Sequence, residues 1–199
     1  MKNTATQLEK LLREVRACTV CASALPCPPR PILRAAATAR VLLVGQAPGR
    51  RVQETGIPWN DPSGDRLRAW LGLSREAFYD ETQLAIIPTG FCYPGTGAHG
   101  DLPPRPECAP LWHPRLRALL PEIRVTLLIG SHAQAYYLGA RRKATLGATV
   151  HAFAEYLPEF FPLPHPSPRN VRWFKQNPWL EREVVPAARQ LVAGILAAK

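Results

Sequence analysis

Val41-Leu42-Leu43-Val44-Gly45-Gln46-Ala47-Pro48-Gly49 is the stretch on which the fold turns. Four consecutive apolar residues stopped by glycine mark a short strand buried on both faces, because a half-exposed strand would alternate. Gly45, Pro48 and Gly49 then force a tight turn. Similar apolar runs follow at Leu84-Ala85-Ile86-Ile87, at Val125-Thr126-Leu127-Leu128-Ile129 and, less cleanly, at Glu159-Phe160-Phe161. Helical stretches separate them. One runs from near Ser63 to Gly72, and one opens on Ser131 as N-cap and stops near Gly139. The last starts at Asn177-Pro178 and carries Val184, Ala188, Leu191, Val192 and Ile195 on one face. Upstream, Leu8, Leu11, Leu12 and Val15 predict a first helix ending near Cys18. The alternation predicts an α/β fold, a three-layer sandwich around a central, mainly parallel four-stranded sheet. A length of 199 residues, 46% of them apolar, suits a single domain over residues 1–199. Such sheets bind ligands at the carboxyl ends of their strands. The loops after Val44, Ile87, Ile129 and Phe161 are therefore predicted to form one functional rim.

There are 25 Lys and Arg against 15 Asp and Glu, a net charge of +10. That excess favours a polyanionic partner, since bound phosphates release counterions. No run of about 18 apolar residues and no signal-like leader is found, so a cytoplasmic protein without membrane contact is expected. In that compartment the five cysteines are thiols or metal ligands rather than a disulfide framework. The 22 prolines cluster beside apolar segments and fix loop geometry.

On the rim, the first turn matches neither the Rossmann nor the P-loop phosphate pattern. The last loop reads His165-Pro166-Ser167-Pro168-Arg169-Asn170. Together the two loops resemble the signature motifs of the uracil-DNA glycosylase superfamily: a G-x-x-P-G turn after the first strand and an H-P-S loop after the last. The His-Pro-Ser-Pro-Arg-Asn form resembles that of the single-strand-selective monofunctional branch. The likeness runs from about Cys18 to the final helix.

The resemblance implies a monofunctional hydrolase that excises a flipped, damaged base, uracil or another deaminated base, in base excision repair. It implies base contacts from Gly45, Gln46 and Ala47, and Trp59, in Gly56-Ile57-Pro58-Trp59, falls on the aromatic that stacks on the base. Hydrolysis of an N-glycosidic bond needs the departing base anion and the cationic sugar stabilised and a water delivered to the sugar carbon. His165 is the candidate for the base. For the water the first turn supplies no carboxylate, because Gln46 and Ala47 stand where other branches place Glu or Asp. Asp61, in Asp61-Pro62-Ser63-Gly64, resembles the catalytic Asp of the broad-specificity iron–sulfur branch. Two bland readings stand beside these: Trp59 as a core anchor and Asp61 as a turn residue. The Asn that many members place after the second strand is missing from Ile87-Pro88-Thr89-Gly90, which leaves Thr89 or backbone groups to read the base.

Cys18-Thr19-Val20-Cys21, with Cys92 and Cys108 further on, suits an all-thiolate site for zinc or a [4Fe–4S] cluster, or else free structural thiols. Resemblance to the cluster-binding thermophilic-type enzymes favours [4Fe–4S]. Cys27 lies outside the pattern. Arg50 and Arg51, Ser167, Arg169 and Asn170, and Arg172 and Lys175 are the candidate DNA contacts, with Trp173 and Phe174 as either a wedge into the base stack or core. Damaged DNA is the expected partner and a monomer the expected state. The alternative is a DNA-binding protein on a glycosylase scaffold whose catalysis is lost or altered.

Overall fold

A computed structural model describes residues 2–98 and 100–198. Helix α1 (Lys2–Arg16) leads through an irregular, proline-rich segment to β1 (Val41–Val44). Three helices, α2 (Arg50–Thr55), α3 (Pro62–Leu71) and α4 (Arg75–Tyr79), connect β1 to β2 (Leu84–Ile86). A small ribbon of β3 (Thr96–Gly97) and β4 (Gly100–Asp101) precedes α5 (Cys108–Ala118) and β5 (Val125–Ile129). Then come α6 (Ser131–Leu138), α7 (Leu146–His151), β6 (Phe160–Leu163) and α8 (Val171–Gln176). A π-helical turn, Leu180–Val184, runs into α9 (Val185–Ala197). Among the described residues no helix is long and apolar enough to cross a membrane.

The main sheet has the order β2-β1-β5-β6 and is parallel throughout. Val41 sits opposite Leu84 on one side and Val125 on the other. Alternation along each strand divides the core. Leu42, Val44, Ala85, Ile87 and Leu128 pack against α1, α5 and α6. Val41, Leu43, Leu84, Ile86, Leu127 and Ile129 pack against α3, α4, α7, α8 and α9. Two helical layers thus cover one sheet, the three-layer sandwich read from the sequence.

Three local differences have physical causes. Gly130, at φ 84°, takes the cap position before α6, and Ser131 is the first helical residue without a capping bond. β6 extends through Pro162 to Leu163, which an edge strand tolerates because one side of its backbone needs no partner. Helix α5 keeps Pro114 inside it, a residue that hides a helix from a periodicity reading.

His113 ties α5 to the loop after β2. It is almost wholly buried; its Nε2 lies 2.9 Å from the Pro88 carbonyl and its Nδ1 2.8 Å from the Tyr137 hydroxyl. Nε2 therefore donates to the carbonyl and Nδ1 accepts from Tyr137. Burial pushes the imidazole down to about 4, opposed by the Pro88 bond and helped by Arg117. The unfolded chain takes up this proton below pH 6.5 and the folded chain only near 4. The stability His113 contributes is complete above the first value and is lost as pH falls toward the second, on the order of 3 kcal/mol. Urea titrations from pH 7 to 4 are expected to show that decline, with a shallower slope in His113→Gln; equal slopes in both proteins contradict the assignment.

Candidate active site

From β1 the chain moves out to β2 and then returns past β1 to β5, so the sheet reverses direction between β1 and β5. Open parallel sheets bind ligands at such a point. A cleft of about 540 Å³ opens there, the volume of a small-molecule pocket. Gly45, Gln46, Ala47, Trp59, Asp61, His165, Ser167, Arg169 and Asn170 all line it. Residues more than a hundred positions apart in sequence are brought to one opening.

The first turn is braced from behind. Thr89 is buried and absent from the lining; its hydroxyl lies 3.2 Å from the Gly45 carbonyl and 2.6 Å from that of Gln46. The Thr89 and Gly90 amides donate to the same two carbonyls at 2.9 and 2.7 Å. Thr89 shapes the turn where a base-reading side chain was expected. Gln46 is half-buried and lines the cleft, and its carboxamide forms no hydrogen bond among the described residues.

Trp59 stands at φ 57°, the left-handed region that bulky residues avoid, at a strain of about 1–3 kcal/mol. Its surroundings impose this. The Pro58 carbonyl accepts from the Tyr79 hydroxyl at 2.8 Å, and the Trp59 carbonyl accepts from buried Arg68 at 3.3 Å. The half-buried indole packs on the core beneath α3 and α9 and stacks on the His165 ring, with centroids 5.5 Å apart and planes at 30°. A Cβ on Gly45 would come within 2.8 Å of the indole, so only glycine allows the turn to lie this close. Trp59 is thus both core anchor and cleft wall.

Asp61 caps α3: its Oδ1 accepts from the Gly64 amide at 2.8 Å. The capping bond fixes the carboxylate at the cleft. Across from it, burial lowers the His165 pKa, while the charges of Asp61 and Asp101 oppose that shift. The imidazole is neutral at neutral pH, with one N–H to donate and one nitrogen to accept. The loop bearing it is clamped: Asn170 Nδ2 donates to the His165 carbonyl at 2.8 Å, and Arg66 Nη1 reaches the Pro166 and Ser167 carbonyls at 3.2 Å each. Sequence reasoning passed over Arg66 and also Asp101, which lines the cleft from the ribbon.

Arg50, Arg51, Arg172 and Lys175 are exposed outside the lining, and Arg50 pairs with Glu54 at 3.1 Å. Phe174 is buried and Trp173 packs against the same core, so of the two readings for this pair the structure has the core one. The cysteines are free. Burial pushes the Cys92 thiol up to about 11, with Cys21, Cys18 and Cys27 adding to the rise. Cys108 rises to about 12, burial again leading, followed by Cys92, Cys21 and Cys18. The backbone at Arg30 and at Phe91 opposes these rises at Cys92 and Cys108 respectively. Cys18, Cys21, Cys92 and Cys108 therefore lie within electrostatic reach of one another, with Cys27 near Cys92. Among the described residues no three His, Cys, Asp or Glu side chains form a ready single-ion cage.

A parallel sheet whose switch-point cleft is walled by a Gly-Pro turn and a His-Pro-Ser loop defines an α/β protein with a candidate ligand site at that point. The chain belongs to the uracil DNA glycosylase superfamily, whose family model matches residues 33–189. The match takes in Asp61, Cys92, Cys108 and His165 and begins after Cys18 and Cys21. Among solved structures the chain is similar to a Methanosarcina acetivorans protein described as a candidate uracil DNA glycosylase, at 15% identity and a TM-score of 0.49 over 80% of this chain and 97% of that one. It is also similar to wild-type SMUG2 of Pedobacter heparinus, at 16% identity and a TM-score of 0.43 over 81% and 77% of the two chains.

The packing around Trp59 gives a direct test. A Cβ on Gly64 would meet the Trp59 carbonyl oxygen at 1.8 Å. Gly64→Ala is expected to cost about 1–3 kcal/mol in urea unfolding and to change the tryptophan fluorescence of the folded protein. Unaltered stability and emission would show that the two segments do not pack this way.

Proposed function

We propose that the protein is a monofunctional DNA glycosylase that acts on a damaged base, uracil or another deaminated base, turned out of DNA into this cleft, as the first step of base excision repair. The observation that carries the reading is the convergence of Asp61 and neutral His165 on one cleft with room for a nucleobase. The C1′–N bond breaks and its electron pair leaves with the base, whose oxygen accepts a hydrogen bond from His165 as negative charge grows there. A water oxygen adds to C1′ and gives its proton to Asp61, acting as general base. Trp59 walls the base and the free Gln46 carboxamide reads its edge. Arg169, at the mouth, suits a phosphate contact, and the net charge of +10 suits DNA as partner. The protein works as a cytoplasmic monomer in this reading. One observation favours the binding-only alternative: an oxygen of Asp61 is already engaged by the Gly64 amide.

Excision from oligonucleotides carrying uracil, hypoxanthine or xanthine separates the two. Cleavage after alkali at one lesion is expected, reduced about 10²–10³-fold in His165→Ala and about 10²–10⁴-fold in Asp61→Asn. The rate is expected to stay flat through neutral pH, because His165 is already neutral there. Salt-dependent DNA binding with no excision of any of these bases would overturn the catalytic reading and favour the alternative.

We also propose that Cys18, Cys21, Cys92 and Cys108 hold a [4Fe–4S] cluster. The donor set fits: four free thiols within electrostatic reach of one another supply the all-thiolate ligation that such a cluster takes. Such a group would tie the segment after α1 to the two segments flanking the ribbon through Cys18, Cys21, Cys92 and Cys108. Protein purified without oxygen is expected to contain iron and sulfide in equal amounts, lost in Cys92→Ser; zinc in place of iron would refute the cluster.

A further inference from the structure

The ribbon formed by β3 and β4 was invisible in the sequence, yet it reaches over the cleft. Two contacts hold it there. The Arg169 guanidinium lies against Gly100, and Asp101 Oδ2 lies so near Gly49 that a Cβ on that glycine would be 3.2 Å away. A short hydroxyl chain orients the carboxylate. The Tyr93 and Thr96 hydroxyls are 2.5 Å apart, and Thr96 donates to Asp101 Oδ1 at 3.3 Å. Thr96 gives its proton to the carboxylate, so Tyr93 donates to Thr96. Tyr93 is buried, which anchors the chain to the body of the protein. Oδ1 is thereby occupied and Oδ2 is left on the side of the first turn.

Depth in the cleft separates the two carboxylates. Gly45 is buried and Trp59, Asp61 and His165 are half-buried, whereas Asp101 is exposed at the mouth beside exposed Arg169. A nucleotide enters such a cleft base first, so its sugar stops at the mouth between the phosphates and the base. We propose that Asp101 is a second carboxylate of the reacting site, presented by the ribbon to the sugar, where its negative charge stabilises the cation that forms as the base departs. The inference rests on the glycosylase reading and divides the work within it: Asp61 handles the water, Asp101 the charge. The pull of Asp101 on the half-buried His165 ring agrees with a carboxylate whose field reaches the reacting atoms.

The test uses the full-length protein and two oligonucleotides, one carrying a cationic pyrrolidine in place of the sugar and one carrying the neutral tetrahydrofuran. The wild-type protein is expected to bind the cationic site more tightly than the neutral one. That preference should fall about tenfold in Asp101→Asn and less in Thr96→Val, while affinity for the neutral site does not weaken. Single-turnover excision should slow in Asp101→Asn by roughly tenfold or more, with Asp101→Glu closer to wild type. An active Asp101→Asn protein that keeps both the wild-type rate and the full preference for the cationic sugar would overturn the proposal and leave the glycosylase reading intact. A wild-type protein that excises nothing, yet prefers the cationic sugar through Asp101, would instead overturn the glycosylase reading and leave this charge assignment standing. Loss of neither quantity on any substitution, with no excision, removes both.

Discussion

The Trp59 indole touches both the backbone of Gly45 and the ring of His165, and the geometry of the site follows from that contact. It joins three segments that the chain delivers separately: the turn after β1, the entry to α3 and the loop after β6. Each imposes a condition. Gly45 must lack a side chain, Gly64 must let the Trp59 carbonyl pass, and Trp59 must hold a left-handed backbone that Arg68 and Tyr79 secure by their hydrogen bonds. Strain of this kind persists where surrounding structure over-determines it, and such places cluster at functional sites.

Rigid placement also sets the electrostatics. His165 sits in a part of the cleft where burial disfavours its charged form, and two carboxylates nearby pull the other way. The first effect is larger, so the ring stays neutral and remains a directional donor instead of a second positive charge. Asp61 is held by the amide end of α3 and Asp101 by the ribbon's hydroxyl chain. Groups fixed before a substrate arrives need no reorganisation when charge develops, which is the main source of electrostatic catalysis. The opposite layer contributes through His113, whose bond to the Pro88 carbonyl secures another lining residue of the same cleft.

The sheet was legible because a doubly covered parallel strand needs uninterrupted apolar residues, and β5 is found over the very residues whose run predicts it. Of the residues that line the cleft, Gln46 and His165 were legible because they follow strands, whereas Trp59 and Asp61, at the entry to α3, were marked by the family resemblance. Thr89 lies outside the lining, since position after a strand does not tell which way a side chain points; here its hydroxyl points back to brace the turn. Arg172 and Lys175 follow the His165 loop in sequence, but α8 gives its buried face to Phe174 and Trp173 and turns the basic residues outward. Asp101 escaped altogether. Its glycine-rich ribbon has no apolar period, and its place over Gly49 is set by contacts across 52 residues of chain that no local pattern encodes.

The central claim is that the base, once out of the helix, lies between the Gln46 turn and His165. A crystal structure of the protein with DNA bearing a non-hydrolysable analogue of the preferred lesion tests it directly. The account requires the base in the cleft, its oxygen within hydrogen-bonding distance of His165, its edge toward Gln46 and its sugar at the mouth. DNA bound across another face, or a base left stacked in its strand with the cleft empty, would contradict it.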